Sequence, residues 1–327
     1  MLALALCISA VSAAPVPKDA DGPFEKAVIA PRDGAIGYLK KCQKDDGTWE
    51  GTVINVLLEM EGGQTALVAL SLLEAGVPAN DPAISKAVDY LVKLSPKKTY
   101  VVSLQTQVLA RVDAKKHQEQ IQKNVDWLVE NAIKINDKIE GWSYPANSFP
   151  DGSNTHLGVI GLHIAAQAGA KVEEKIWKQI EEVYVRTRLD EGWSYYSTGA
   201  VVQNPATKSM TVCGLSGLTI TSKHLKNSKA IEAAFDKGIK SLGTWDLQSS
   251  KSNGYALLIV AELGKLQGSK SLKIGDKSWD WYKVGAERVF KMKKEDGSLV
   301  DSESRAVDSF PILSTAFGLY FLGPPKK

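Results

Sequence analysis

Apolar helical runs alternate with amphipathic ones along this chain at a nearly constant step, and that alternation restricts the fold more than any other feature. The segments 62–76, 101–112, 155–169, 210–220, 254–264 and 310–323 are apolar nearly all round and rich in small residues, as helices buried on every side must be. Each follows an amphipathic stretch, at about 33–44, 84–94, 121–135, 176–187, 231–242 and 282–292. In ISKAVDYLVKL (84–94), Ile84, Val88 and Leu91 share one stripe with Ala87 beside it, while Lys86, Asp89 and Lys93 lie off it. Asn80-Asp81-Pro82 opens that helix with a capping residue ahead of a proline.

The joint between the members of a pair is clearest in Gly34–Trp49, GAIGYLKKCQKDDGTW. Tyr38 and Leu39 belong to a helix, Gln43 lies near its end, Gly47 stops it because glycine enters the left-handed region without steric cost, and Trp49 follows as an apolar anchor. Weaker copies recur. Trp49 to Tyr100 is 51 positions, Trp142 to Trp193 is 51, Trp193 to Trp245 is 52 and Trp245 to Leu299 is 54, with one short step of 42 between Tyr100 and Trp142. These are six units of about 50 residues. An open solenoid of such units needs polar terminal caps, whereas the last run, FPILSTAFGLYFLG, is strongly apolar. The expected architecture is therefore all-α: an (α/α)6 toroid of six helical hairpins over 33–324, apolar helices inside and amphipathic helices around them.

Residues 14–32, with Pro15, Pro17, Asp19, Asp21, Gly22 and Pro23, have the composition of a linker. Before them, MLALALCISAVSA reads as a signal peptide of residues 1–13, cut after Ala13, with a periplasmic or extracellular destination. It is shorter than the roughly 20 residues of a membrane span. The apolar share of 44% and charged share of 24% suit a globular chain with a large core. A net charge of +3 with scattered lysines argues against nucleic acid as a partner. Cys42 and Cys213 would remain after cleavage, read as two separate thiols or one long-range bridge.

The Gln43, Gly47 and Trp49 pattern, with Tyr38-Leu39 ahead of it, resembles the QW repeat of the squalene and hopene cyclases. The chain over about 33–323 resembles the prenyltransferase and squalene-cyclase repeat superfamily. That resemblance implies the toroid. It also implies a structural role for Gln43 and Trp49 and, in part, for Trp142, Trp193 and Trp245. It does not imply one activity, since the fold also serves protein prenyltransferases, complement-type thioester domains and cobalamin carriers. The cyclases' Asp-x-Asp-Asp acid is missing, the nearest string being Asp19-Ala20-Asp21-Gly22 in the linker. Where prenyltransferases hold zinc, Met210 and Asn154 stand in place of ligands. The Gly-Cys-Gly-Glu-Gln run of the thioester domains is not supplied by Cys213-Gly214-Leu215. Neither a metal nor another cofactor is expected.

Seven further positions are candidates for chemistry or binding. His156 and His163, seven apart on one helix face, are either a ligand or acid/base pair or two core histidines with one hydrogen bond each. Asp308 is either an acid or a helix cap. Tyr195 and Tyr196 are either an aromatic platform at the ring mouth, for sugars or lipids, or loop packing. Arg186 and Arg188 either complement a helix dipole or resemble the bases of toroidal polysaccharide lyases. Two functions follow. One is an exported, non-catalytic or atypical ring that binds an apolar small molecule or a protein at its cavity or mouth. The other is an enzyme on the same fold: a terpene-type cyclase or transferase with a relocated acid, or a polysaccharide-degrading enzyme.

Overall fold

Pro23 opens the first helix, α1 (Pro23–Lys41), ten residues earlier than the outer helix expected near 33. Proline at a helix start loses nothing, because the N–H it lacks would have no partner there. Pro31 sits inside the same helix and is buried, so residues 23–32 belong to α1 and not to a linker. The computed structural model describes residues 22–51, 60–144, 149–196, 205–225, 238–242, 245, 247–248, 254–274, 277–301 and 309–323. The leader, residues 14–21 and Asp308 lie outside the described residues.

Six apolar helices follow the expected runs: α2 (Gly63–Glu74), α4 (Thr99–Asp113), α6 (Gly152–Gln167), α8 (Lys208–His224), α9 (Gly254–Gln267) and α11 (Pro311–Leu322). Between them come the amphipathic helices α3 (Pro82–Leu91), α5 (Gln118–Glu130), α7 (Glu174–Arg186) and α10 (Trp281–Met292). Of the outer stretch 231–242, residues 238–242 are described, as helix. The buried helices touch one another in chain order, and α11 packs back on α2, so they close a ring. The outer helices lie against that ring, with α1 covering α11 and α10. Asp81 caps α3 as expected, its carboxylate accepting from the Ala83 N–H. Two short antiparallel hairpins were not expected: β1 (Ile133–Ile135) with β2 (Lys138–Gly141), and β3 (Leu272–Ile274) with β4 (Lys277–Trp279). The first turns through Asn136 and Asp137, both at positive φ, a backbone that these two residue types tolerate. No helix among the described residues is long and apolar enough to cross a membrane.

Three of the joints share one wiring, while Tyr100 falls inside α4 and the Trp245 backbone N–H donates to the Leu242 carbonyl. The indole N–H of Trp49, Trp142 and Trp193 donates to a carbonyl of the preceding outer helix, at Leu39 (2.6 Å), Leu128 (2.8 Å) and Tyr184 (2.9 Å). The backbone N–H of each donates to a threonine hydroxyl in the first turn or two of the next inner helix: Thr65, Thr155 and Thr211. Leu299 does the same with Thr315 at 3.0 Å, which makes Asp296–Leu299 the sixth joint. The turns agree in detail as well. Thr48 folds onto the Asp46 carboxylate through its N–H and hydroxyl, and Ser298 onto Asp296.

These turns also tie neighbouring units together. Gly47 has φ +84°, and a Cβ there would stand 2.8 Å from the Lys86 carbonyl of α3. Gly297 has φ +88°, and its Cβ would stand 2.6 Å from the Gly34 carbonyl of α1. The sixth joint therefore sits on the first outer helix as the first joint sits on the second, so the outer layer closes with the inner one. Gln43 Nε2 donates both to the Gly47 carbonyl (3.0 Å) and across to the Ala83 carbonyl of α3 (2.8 Å). Gln43→Ala removes both bonds. The expected cost is about 1–2 kcal/mol in urea unfolding, at roughly 1 kcal/mol per bond; an unchanged midpoint would show that the amide ties nothing.

Candidate functional site

Two contacts identify the faces that look into the ring. His156 Nε2 of α6 lies 3.6 Å from Glu262 Oε2 of α9. Lys265 Nζ, also of α9, lies 2.7 Å from Glu74 Oε2 of α2. Neither α6 nor α2 is the neighbour of α9 in the ring, so both contacts cross its interior. Helical spacing extends these faces, since residues seven apart share a side. Leu258 and Tyr255 stand four and seven before Glu262, Leu67 seven before Glu74, Leu104 seven before Arg111, and Leu313 seven before Tyr320. All of these side chains are buried except Tyr255 and Arg111, which are half-buried.

Three zones result along the ring axis. Where the inner helices end, Glu74 accepts from Arg111 Nε of α4 and from Lys265 Nζ. Lys265 also sits 3.9 Å over the Tyr320 ring. In the middle are Leu67, Leu104, Leu258, Leu313 and Phe317. Where the inner helices begin, tyrosines gather: Tyr100 stacks on Tyr144 at 6.0 Å, and Tyr255 OH lies 3.6 Å from Cys213 Sγ. Cys42 and Cys213 are free thiols.

Glu262 and His156 form the least satisfied polar contact in this interior. Among the described residues, both His156 nitrogens and Glu262 Oε2 lack a hydrogen-bond partner. Burial holds the imidazole neutral, with a pKa near 3. Burial pushes the Glu262 carboxyl up to about 8, against the pull of Lys265 and Arg111, so it keeps its proton at neutral pH. Folding must take up that proton wherever the unfolded chain has released it. The stability this group supplies is therefore fully present below about pH 4.5 and lost as the pH rises to about 8. Glu262→Gln cannot ionise. Its stability relative to wild type is expected to rise by up to about 1.4 kcal/mol per pH unit across that window. Parallel pH curves for the two proteins in thermal unfolding would contradict the raised carboxyl.

The other expected candidates fall in separate places. His163 Nδ1 meets His224 Nε2 at 2.9 Å. His224 in turn stacks on Trp177 of the outer helix α7 at 3.8 Å, so the two histidines of α6 have different partners. Tyr195 and Tyr196 meet edge to face at 4.8 Å beside the start of α6. The Tyr195 carbonyl accepts from the Gly152 N–H at 2.7 Å, and Tyr196 is exposed. Arg186 pairs with Glu140 at 2.6 Å, and Arg188 reaches the Leu189 carbonyl. Trp245 lies 6.3 Å from Trp279. Asn154, at the would-be zinc position, donates to the buried Asp151 carboxylate, which caps α6 through the Ser153 and Asn154 N–H groups. Met210 is buried at the start of α8. Among the described residues no three His, Cys, Asp or Glu side chains are placed to hold a metal.

Sequence reasoning missed Glu74, Arg111, Glu262 and Lys265. Each is a charge late in an otherwise apolar helix, which reads as a solvated end. The available signal was their spacing: Glu74, Arg111 and Lys265 stand seven residues beyond a leucine on three different runs, and Glu262 four beyond Leu258.

No family model and no curated protein matches the chain. Solved structures do. The type II terpene cyclase MstE from Scytonema, in complex with its product merosterolic acid A, superposes with TM-score 0.55 at 13% identity, covering 92% of this chain and 97% of that one. The same enzyme with its substrate, geranylgeranyl dihydroxybenzoate, gives 0.56 at 12% identity over the same shares. At such identities the likeness shows a terpene-cyclase-like fold.

Proposed function

We propose that this chain is an exported ring protein that takes an apolar small molecule between its inner helices and does so without the cyclases' Asp-x-Asp-Asp chemistry. The observation that carries this reading is the belt of Leu67, Leu104, Leu258, Leu313 and Phe317. It lies on faces turned into the ring, between a tyrosine-rich end and an ion-paired end. Such a belt provides area for an apolar chain at about 25 cal/mol per Å² removed from water, with polar groups at each end to orient it. The geranylgeranyl chain bound by MstE supports the choice of a polyprenyl probe. Geranylgeraniol added to the purified protein is expected to bind saturably, one per chain, in a tryptophan-fluorescence titration. Leu104→Asp, which puts a charge on the belt, is expected to abolish the signal. Absence of saturable binding by the wild type up to the probe's solubility limit would overturn the reading.

A second reading, an enzyme with a relocated acid, is favoured by Glu262. A protonated carboxyl whose Oε2 has no hydrogen-bond partner among the described residues, in an apolar interior, suits proton transfer to an alkene. His156, neutral beside it, could return the proton from solvent to the carboxylate. Turnover of a polyprenyl substrate that disappears in Glu262→Gln while geranylgeraniol still binds would establish it. Binding without turnover in the wild type leaves the carrier.

A further inference from the structure

Where the inner helices end, the described residues bring more cationic than anionic charge into the ring. Glu74 is the carboxylate there, with a side chain 2% exposed, and it serves both Arg111 and Lys265. The two cations keep 18% and 14% of their side chains accessible. Glu262, one turn before Lys265, stays protonated near neutral pH, so it does not offset the excess. Donor capacity is also left over. Arg111 spends Nε on Glu74 and Nη1 on the Gln107 carbonyl at 3.3 Å, and Nη2 has no acceptor among the described residues. Gln107, one turn before Arg111 on α4 and 1% exposed, has an amide nitrogen with no hydrogen-bond partner among the described residues. An unpaired buried amide donor beside an excess cation is costly unless something accepts from it. The leucine belt begins one turn further in, at Leu104 and Leu258.

We propose that Arg111, Lys265 and Gln107 form an anion-binding head site, and that the molecule carried by the ring is an amphiphile with a carboxylate at one end of an apolar chain. The inference rests on the apolar-ligand reading and narrows it. The carboxylate would accept from Arg111 Nη2, Gln107 Nε2 and Lys265 Nζ, while its chain runs along Leu104, Leu258 and Phe317 toward the tyrosine end. Charge-assisted bonds of this kind are the strong ones, and a neutral alcohol cannot replace them.

The test compares geranylgeranoic acid with geranylgeraniol, which share one chain and differ in the head, by calorimetric titration of the full-length protein at pH 7 and low salt. The acid is expected to bind about tenfold or more tighter than the alcohol, the scale of one charge-assisted hydrogen bond. Lys265→Met and, separately, Gln107→Leu, which leaves the ion pairs in place, are expected to reduce that preference while alcohol affinity stays. Equal affinity for the two probes in the wild type would overturn the head site and leave the apolar-ligand reading standing. Binding of neither would overturn both. A preference for the acid that survives in both variants would place the head elsewhere and overturn the assignment.

Discussion

Trp142→Ala is expected to destabilise the protein by about 3–5 kcal/mol, the cost of removing a fully buried aromatic from a core that cannot close over the space. The indole is 0% exposed. Its N–H satisfies the Leu128 carbonyl at the end of α5, and its backbone N–H satisfies the Thr155 hydroxyl of α6. The ring face lies on Gly158, where a Cβ would come within 2.8 Å. One residue thus connects an outer helix to its inner partner. Trp142→Phe keeps one aromatic ring but loses the N–H and the rest of the indole, so it is expected to cost less than the alanine variant, about 2–3 kcal/mol. Calorimetric unfolding measures both variants. A loss below about 1 kcal/mol for the alanine variant would mean that the joint is decoration and not the part that holds each hairpin together.

The second large effect is expected at the charged end. Glu74→Ala leaves Arg111 and Lys265 without their shared carboxylate. Breaking a buried pair by removing one partner costs about 3–5 kcal/mol, and the partial exposure of both cations places this case at the lower end. The loss is expected to depend on pH. Glu74 helps keep Glu262 protonated by like-charge repulsion. Once it is gone, Glu262 ionises more readily next to the two cations and replaces part of the lost charge. Glu74→Ala is therefore expected to cost less near pH 8 than near pH 6. Adding Lys265→Met to Glu74→Ala should recover stability, with a coupling of at least about 1 kcal/mol in the double-mutant cycle. Additive losses would show that the cluster is solvent-screened.

Much of the fold was legible because each unit repeats a few residues with strong local meaning. Gly47 and Trp49 mark a stop and an anchor, Asp296-Gly297-Ser298 repeats Asp46-Gly47-Thr48, and the apolar runs identify themselves by having no polar face. The threonines that receive each joint, Thr65, Thr155, Thr211 and Thr315, were not legible, because a single threonine in an apolar run has many ordinary uses. Ile133 and Ile135 continued the helical spacing of α5, so the β1–β2 hairpin was hidden until Asn136 and Asp137 were seen at positive φ. Pro31 and the polar residues before it disguised the start of α1. The interior was the least legible part. His156 stood out alone, while Glu262, 106 positions later, carried no sign that ring closure would bring the two within 3.6 Å. Long-range pairing across a ring leaves no trace in local spacing, and a charge late in an otherwise apolar helix looks the same whether it faces water or a partner.

The central claim, that the ring interior and not its outer surface receives an apolar chain, is tested most directly by photolabelling with a geranylgeranyl probe carrying a diazirine at its tail, followed by peptide mass spectrometry. Labels competed away by excess geranylgeraniol are expected on α4, α9 and α11, at or next to Leu104, Leu258 and Phe317. Labels confined to the outer helices α3, α5 and α7, or labelling that geranylgeraniol does not compete, would contradict it.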